Sequence, residues 1–332
     1  MSIQSNSDFL FIFEAIQCNP NGDPDQENKP RMDYDTQTNL VTDVRIKRHI
    51  RDFLKQGGHE IFVDMESEAK VTMDDKLNAV LTRLWTDDSS KIKALINDDQ
   101  LFQTYVADVK KTTAIDTVKD MTNKKTAKKD VNRAILNGLV KSIFVDIRMF
   151  GSAFAIEGFN QSYTGPIQMN WGYSLNRVHL MESDTIASIM NDGNSTFGKD
   201  YRVKYSLPAF HGSINRAAAN TTGLTEADLT DFRDAIWQSL SANPTRSKLN
   251  QYPKLYLEII YNDGYYNGHF GDLRNLVKVK EVAGKTSQEV RSFEDLDLDF
   301  SKLKSVLSEY KGVDKPIKQV IIKHSPELAN TL

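Results

Sequence analysis

Residues 9–16, FLFIFEAI, form a nearly continuous apolar run bounded on both sides by polar residues. A stretch this short and this apolar reads as a strand buried in the middle of a sheet, because a half-exposed strand would alternate apolar with polar side chains. The rest of the chain has to build a sheet around it. A polar, turn-rich loop follows over residues 19–41, and then a helical repeat runs from about Thr42 to Lys55. Thr42 or Asp43 can cap its free N–H groups, and Gly57 and Gly58 stop it.

Beyond that helix the pattern changes type several times. From about residue 70 to residue 130 it is helical, with Leu77, Val80, Leu81 and Leu84 on one face, and it ends in the basic run KDMTNKKTAKKDVNR, as an inserted subdomain would. A second amphipathic helix carries Ile135, Leu139, Ile143, Phe144 and Ile147 up to Phe150 and Gly151. TGPIQMNWGYSL and YRVKYSLPAFHGSIN then alternate as strands do, separated by ESDTIASIMNDGNSTFGKD, a long excursion of the kind that is functional or disordered. Thr225 and Asp228 open a helix with Leu229, Phe232, Ile236 and Leu240, and KLYLEIIYND reads as a strand. The tail adds a short helix near residues 299–310 and an edge strand, IKQVIIKH. This order predicts an α+β fold with helices on one side of a sheet.

Composition excludes several function classes. No apolar stretch approaches the length of a membrane span, and the start, MSIQSNSDFLFIF, has neither a basic region nor a small-residue cleavage site, so a cytoplasmic protein is expected. Cys18 is the single cysteine, which rules out an internal disulfide and thiolate zinc sites. With 42 Lys plus Arg against 45 Asp plus Glu the net charge is -3, so a nucleic-acid partner must be sought in local patches.

One such patch is the first helix. Ile46, Ile50, Phe53 and Leu54 share a face, Arg48, Arg51 and Lys55 lie opposite, and Arg45 and Lys47 lie on the flanks. That is either a solvated face or a grip for phosphates. Aromatic and amide residues on the expected strands, Gln168, Asn170, Trp171 and Tyr173, are types that stack or cradle single-stranded RNA, though sheet packing uses them as well. Asn19, Asn21, Asp23, Asp25 and Glu27 alternate along the loop, but Pro24 stands where a calcium loop needs its turning glycine. Closure of a tight turn by Asx side chains and Gly22 is the better reading, and no metal is expected. No nucleophile elbow, zincin or phosphate-loop motif occurs; His211 at a strand end suits a hydrogen-bonded structural role better than a catalytic base. Neither catalytic residues nor cofactors are expected.

The segments NPNGDPDQENKPRMD, LVTDVRIKRHIRDFL, FVDIRMFGSAF, TGPIQMNWGYSL, AFHGSINRAAANTTGLTEADL and NPTRSKLNQYP occur in an order that resembles the multi-copy, RAMP-type backbone subunit of type I CRISPR interference (Cascade) complexes. The likeness is greatest to the type I-B branch, with type I-C second, and spans about residues 8–275. It implies a modified RRM-like (ferredoxin-like) palm over residues 1–56 and 133–332, a helical fingers insertion over 57–132 and a thumb hairpin over 180–204. It also implies guide-RNA contact at Asn21, Gly22, Arg45, Lys47, Arg48, Arg51, Gln168, Trp171, His211, Arg246 and Lys248, and a thumb wedge at Ile186, Ile189 or Met190. The partners it implies are the guide RNA, target DNA through guide pairing, and further copies in a helical filament. Among other subunits it implies the large subunit, a guide 5′-end-capping subunit and a guide-processing endoribonuclease. An RNA-cutting backbone subunit of the type III kind is the alternative, with Asp23, Asp33 or Asp43 as the acidic residue.

Overall fold

The apolar run forms strand β1, Ser7–Ile16, with a hydrogen-bonded strand on each side. Successive side chains of a strand point opposite ways. Phe9, Phe11 and Phe13 therefore enter one packed face and Leu10 and Ile12 the other, all of them buried, which is why the run does not alternate.

The structure is a computed structural model that describes residues 2–64, 79–80, 82–83, 93, 99–104, 130–156, 159–181, 185–189, 195–329 and 331. The chain divides into two units: Met1–Ile3, Leu54–Pro166 and Ala217–Asp228 form one, and Gln4–Phe53, Ile167–Arg216 and Leu229–Leu332 form the other. After β1 come β2 (Thr38–Val41), α1 (Asp43–Gln56), α2 (Asp130–Ile143), β3 (Ile167–Met169) and β4 (Gly172–Ser174). Next are β5 (Thr185–Ile189), β6 (Ser195–Lys199), β7 (Pro208–Ile214), α3 (Glu226–Ala242) and β8 (Gln251–Tyr261). Last are β9 (Lys278–Glu281), β10 (Leu296–Asp299), α4 (Ser301–Glu309) and β11 (Ile317–His324).

The larger unit is built on an antiparallel sheet in the order β11, β8, β1, β7, β4, β2, followed by the short strand Met32–Asp33; β3 also pairs with β7. β1, β4, β7 and β8 thus stand in the spatial order fourth, first, third, second, with α1 following the first and α3 the third. On one face Phe9 meets Phe232 of α3 edge-on at 5.6 Å and stacks with Tyr256 at 5.8 Å. On the other face Leu10, Ile12, Ala209, Leu257 and Ile259 share a core with Leu273, Leu276, Leu296 and Leu303, supplied by the chain after β8. The expectation of helices on one side is therefore corrected. The tail carries a third layer of its own, and its β9–β10 hairpin escaped the sequence pattern because short, charged strands such as KVKE and LDLD carry no apolar run.

In the other unit the helix expected to run unbroken to Phe150 is interrupted. Phe144 is extended (φ -93°, ψ 105°) between α2 and a six-residue helix, Val145–Phe150. The buried Asp146 carboxylate accepts from Phe62 N at 2.9 Å and Val63 N at 3.0 Å, Val145 N donates to Glu60 O, and the Phe62 and Phe144 rings meet edge-on at 5.2 Å. These contacts outweigh the local helical preference, since each bond to a buried carboxylate is a charge-assisted one. Arg148 holds Asp228 through two nitrogens, at 3.0 and 2.7 Å. Of the apolar residues expected on the inserted helices, Val80 is buried, while Leu77, Leu81 and Leu84 lie outside the described residues. Among the described residues no helix is long and apolar enough to cross a membrane.

Candidate nucleic-acid interface

The loop before α1 is fastened to the start of that helix by one side chain. Asn21 Oδ1 accepts from both Thr42 N and Thr42 Oγ1 at 2.8 Å, and Thr42 Oγ1 in turn accepts from Arg45 N at 3.3 Å. Thr42 is thus the capping residue, as its type favours. Gly22 allows the loop to fold back: a Cβ there would stand 1.8 Å from Asn28 Oδ1 and 3.1 Å from the Asn28 carbonyl oxygen.

The cations of α1 are less open than periodicity predicts. Arg48 and Arg51, expected to be exposed, are half-buried, as are Arg45 and Lys47, whereas Lys55 is exposed. Lys47 pairs with Asp43 at 2.9 Å and Arg48 with Asp52 at 2.8 Å, both one helical turn apart. The neighbouring segment Asn243–Gln251 explains part of the burial. It is stitched to the end of β1, with Asn19 N donating to Ser247 O at 2.8 Å and Ile16 N to Asn250 O at 3.0 Å. This brings Lys248 to α1, where its ammonium donates to Asn19 O.

The outcome is a desolvated cluster of Arg45, His49 and Lys248. Burial lowers the Arg45 pKa, with Arg48 adding to the effect and Asp52 opposing it. Burial, then Arg45, Lys248 and Arg48, push His49 down to about 3, so its imidazole is neutral. Burial and then Arg45 bring Lys248 down to about 8. Burial also pushes the adjacent Cys18 thiol up to about 12, so no thiolate offsets the cations. Arg45 Nε, His49 Nε2, Asn19 Oδ1 and Arg31 Nε are buried with no hydrogen-bond partner among the described residues. Buried groups left like this cost stability unless something pairs with them, and the Arg45 and Lys248 cations beside the neutral His49 ring suit an anion.

The other expected site residues are dispersed around this centre. Arg246 reaches Asp200 at 3.5 Å, a carboxylate that Arg202 already holds at 2.7 Å. Gln168 and Trp171 are exposed, and the Arg31 guanidinium lies 5.6 Å from the Trp171 ring. His211 Nδ1 accepts from Leu273 N at 3.5 Å, which ties β7 to the tail, in keeping with the hydrogen-bonded structural role its position suggests. Ile186 and Ile189 belong to the two-stranded β5–β6 ribbon, with their side chains outside the described ones, and Met190 lies outside the described residues altogether.

The three carboxylates considered for RNA cutting stand in separate local bonds. Asp23 pairs with Arg31 at 3.3 Å, Asp33 accepts from Thr36 Oγ1 at 2.7 Å, and Asp43 holds Lys47. Among the described residues no three His, Cys, Asp or Glu side chains could hold a metal together. Sequence reasoning missed Asn19, Arg31 and His49. His49 carried a signal: it follows Arg45 by one turn and lies at the edge of the apolar arc, between Arg45 and Phe53.

Comparison with known proteins gives a consistent assignment. A family model described as CRISPR-associated protein Cas7 matches residues 5–301. A CRISPR-associated protein Cas7 of Haloferax volcanii is 30% identical, with 92% of this chain and 84% of that protein covered. Among solved structures, a chain of a pre-nicking CRISPR RNA-guided surveillance complex is similar at a TM-score of 0.47 and 14% identity, covering 79% of this chain and 80% of that one. A chain of another CRISPR RNA-guided surveillance complex gives a TM-score of 0.38 at 15% identity, covering 80% of this chain and 79% of that one.

Proposed function

The chain belongs to the Cas7 family of CRISPR-associated proteins, and from that premise we propose that it is the guide-RNA-binding backbone subunit of a type I CRISPR interference complex. In this reading copies of the chain polymerise along the guide RNA and present its bases for pairing with target DNA. The observation that carries it is the desolvated cluster of Arg45, His49 and Lys248, in which Arg45 Nε and His49 Nε2 have no hydrogen-bond partner among the described residues. A phosphate is the anion that fits: it contributes charge and several acceptor oxygens without regard to base identity, and a protein that must carry any guide needs contacts to backbone, with sequence left to base pairing.

The finer architecture follows the same reading. The order of β8, β1, β7 and β4, with α1 and α3 at their places in the chain, supports an RRM-like palm. Residues 57–132 would be the fingers and 180–204 the thumb, based on the β5–β6 ribbon. Arg45 and Lys248 would grip phosphate directly; Lys47, Arg48 and Arg51 would add field along α1; Asn21 and Gly22 would hold the loop against its start. Arg246, Gln168, Trp171 and His211 would line the path, with Ile186, Ile189 or Met190 as the thumb wedge. The chain itself would cut neither RNA nor DNA.

Binding of unrelated single-stranded RNA sequences as a function of salt tests this. Each phosphate contact contributes a log–log slope of about -0.7 on a single strand, so Arg45→Met with Lys248→Met should flatten the slope by about 1.4. Salt-insensitive binding, or binding confined to one sequence, would sink the proposal.

A further inference from the structure

Strand β4 and the residue just before it present two aromatic rings to solvent on one side. Trp171 is 44% exposed and Tyr173 40% exposed, values that set them apart from the buried Phe9, Phe11, Phe13, Phe210 and Tyr256 of the neighbouring strands. The residue between them fixes their direction. A Cβ at Gly172 would come 2.4 Å from the Phe210 ring, so that side of the strand is pressed onto the core and the rings must leave the other way. Their two-residue repeat is about 6.7 Å along the strand.

Both rings are held from behind. Arg274, only 5% exposed, stacks its guanidinium on Tyr173 at 3.8 Å and donates to the Tyr173 hydroxyl at 2.6 Å. The same guanidinium donates to Trp171 O at 2.8 Å, while Asp272 anchors its Nε at 2.9 Å. Arg31 lies over Trp171 on its side. One fork therefore fixes the backbone of one aromatic residue and the ring of the other, which removes the rotamer freedom that stacking would otherwise cost. The layer built by the tail, which closes this side of the sheet over β1, β7 and β8, reaches the β4 end through Arg274 and leaves the two rings exposed.

We infer that Trp171 and Tyr173 form a stacking platform for nucleobases of a single strand and that Arg274 is its positioning residue. This rests on the RNA reading given above. Continuity favours a nucleic acid over a protein partner. Leu40 and Val41 of β2 pair with Tyr173 and Gly172, the next residue is the cap Thr42, and three residues further on is Arg45, so five residues of chain, Val41 to Arg45, lead from the strand beside the rings to the cationic cluster. A strand whose phosphates lie on Arg45 and Lys248 has its bases beside the rings, and stacked bases are sequence-tolerant because every base has a π-face.

The test compares the intact chain binding a uridine oligomer of about twelve nucleotides and an abasic ribose-phosphate oligomer of the same length and charge. The uridine oligomer should bind about five- to a hundredfold more tightly, the range expected for one stacked base. Trp171→Ala with Tyr173→Ala should abolish that preference without changing the salt slope, Trp171→Phe should retain most of it, and Arg274→Met should lose it with both rings still present. Should Arg274→Met fail to fold, Tyr173→Phe carries the test of positioning, because it removes only the hydroxyl that Arg274 holds; a severalfold loss of preference is expected. Equal binding of the two oligomers overturns the platform and leaves the RNA reading standing, whereas binding of neither overturns both. Self-association lost in the double alanine variant, together with equal binding of the oligomers, assigns the rings to a second copy of the chain. A preference undiminished in Arg274→Met, or in Tyr173→Phe where that variant is needed, overturns the positioning role.

Discussion

His49 and Lys248 are both ionisable groups held away from their ordinary protonation behaviour by burial, and each makes a different consequence measurable. The folded protein binds a proton at His49 only near pH 3, whereas the unfolded chain does so near its ordinary 6.5. The stability that follows from this difference is present above pH 6.5 and is lost as pH falls toward 3, because the unfolded state then takes up the proton. Between about pH 7 and about pH 5 the loss is about 2 kcal/mol, and His49→Gln should remove it from denaturant titrations at the two pH values. Lys248 titrates near 8 in the free protein, and an anion beside it would raise that value. RNA binding should then take up a proton, so affinity is full below pH 8 and declines as pH rises above it. An adenosine oligomer, whose bases do not titrate in that range, reads the effect cleanly. Lys248→Met should leave a weaker affinity that is flat with pH; a wild-type affinity constant through this range would mean that Lys248 does not meet the phosphate.

At the scale of elements, the start of α1 is fixed by the loop before it. Asn21 makes two bonds to Thr42 and so fixes where the helix begins, which sets the direction of Arg45 one turn later. Asn21→Ala should cost about 1–2 kcal/mol, as leaving part-buried donors without their acceptor does, and should weaken RNA binding without changing the number of phosphates read from the salt slope. Unchanged affinity would separate the loop from the interface. The position of this helix, its cap and its stop were legible in the sequence, because Thr42, Gly57 and Gly58 act through the backbone nearest to them. The central place of β1 was legible for a similar reason, as nine residues buried along a ten-residue strand leave their composition as a record. Distant contacts left no such record. That Arg45 and His49 lie desolvated beside Lys248 depends on a segment some two hundred residues later, which docks through backbone bonds at Asn19 and Ile16. The break at Phe144 depends on Phe62 and Val63 bonding Asp146, and Arg274 reached the rings of β4 from a turn whose sequence, LRNL, announces nothing.

At the scale of the whole molecule, the β5–β6 ribbon allows assembly to be tested apart from binding. Its five-residue strands pair with each other and with no third strand among the described residues. An isolated two-stranded hairpin is marginal in water, so a ribbon retained in this form gains stability by meeting another surface. Its base is secured within the larger unit: Leu180 bridges Val203, Met181 N donates to Arg202 O at 2.9 Å, and the Tyr201 hydroxyl donates to Glu27 at 2.7 Å. Arg45, His49 and Lys248 belong to elements that the ribbon does not complete. If the ribbon reaches the next copy along a bound strand, the contact is head-to-tail, and repeating it produces an open helical filament instead of a closed dimer. Replacing residues 184–200 by a short Gly-Ser bridge should therefore leave the β1 sheet folded and a single copy bound to RNA with a nearly unchanged salt slope, while long, regularly spaced assemblies no longer form. Electron microscopy and light scattering on long RNA distinguish the outcomes. Filaments like those of the intact chain would mean that assembly uses another surface, and loss of the folded sheet would mean that the ribbon stabilises the fold itself.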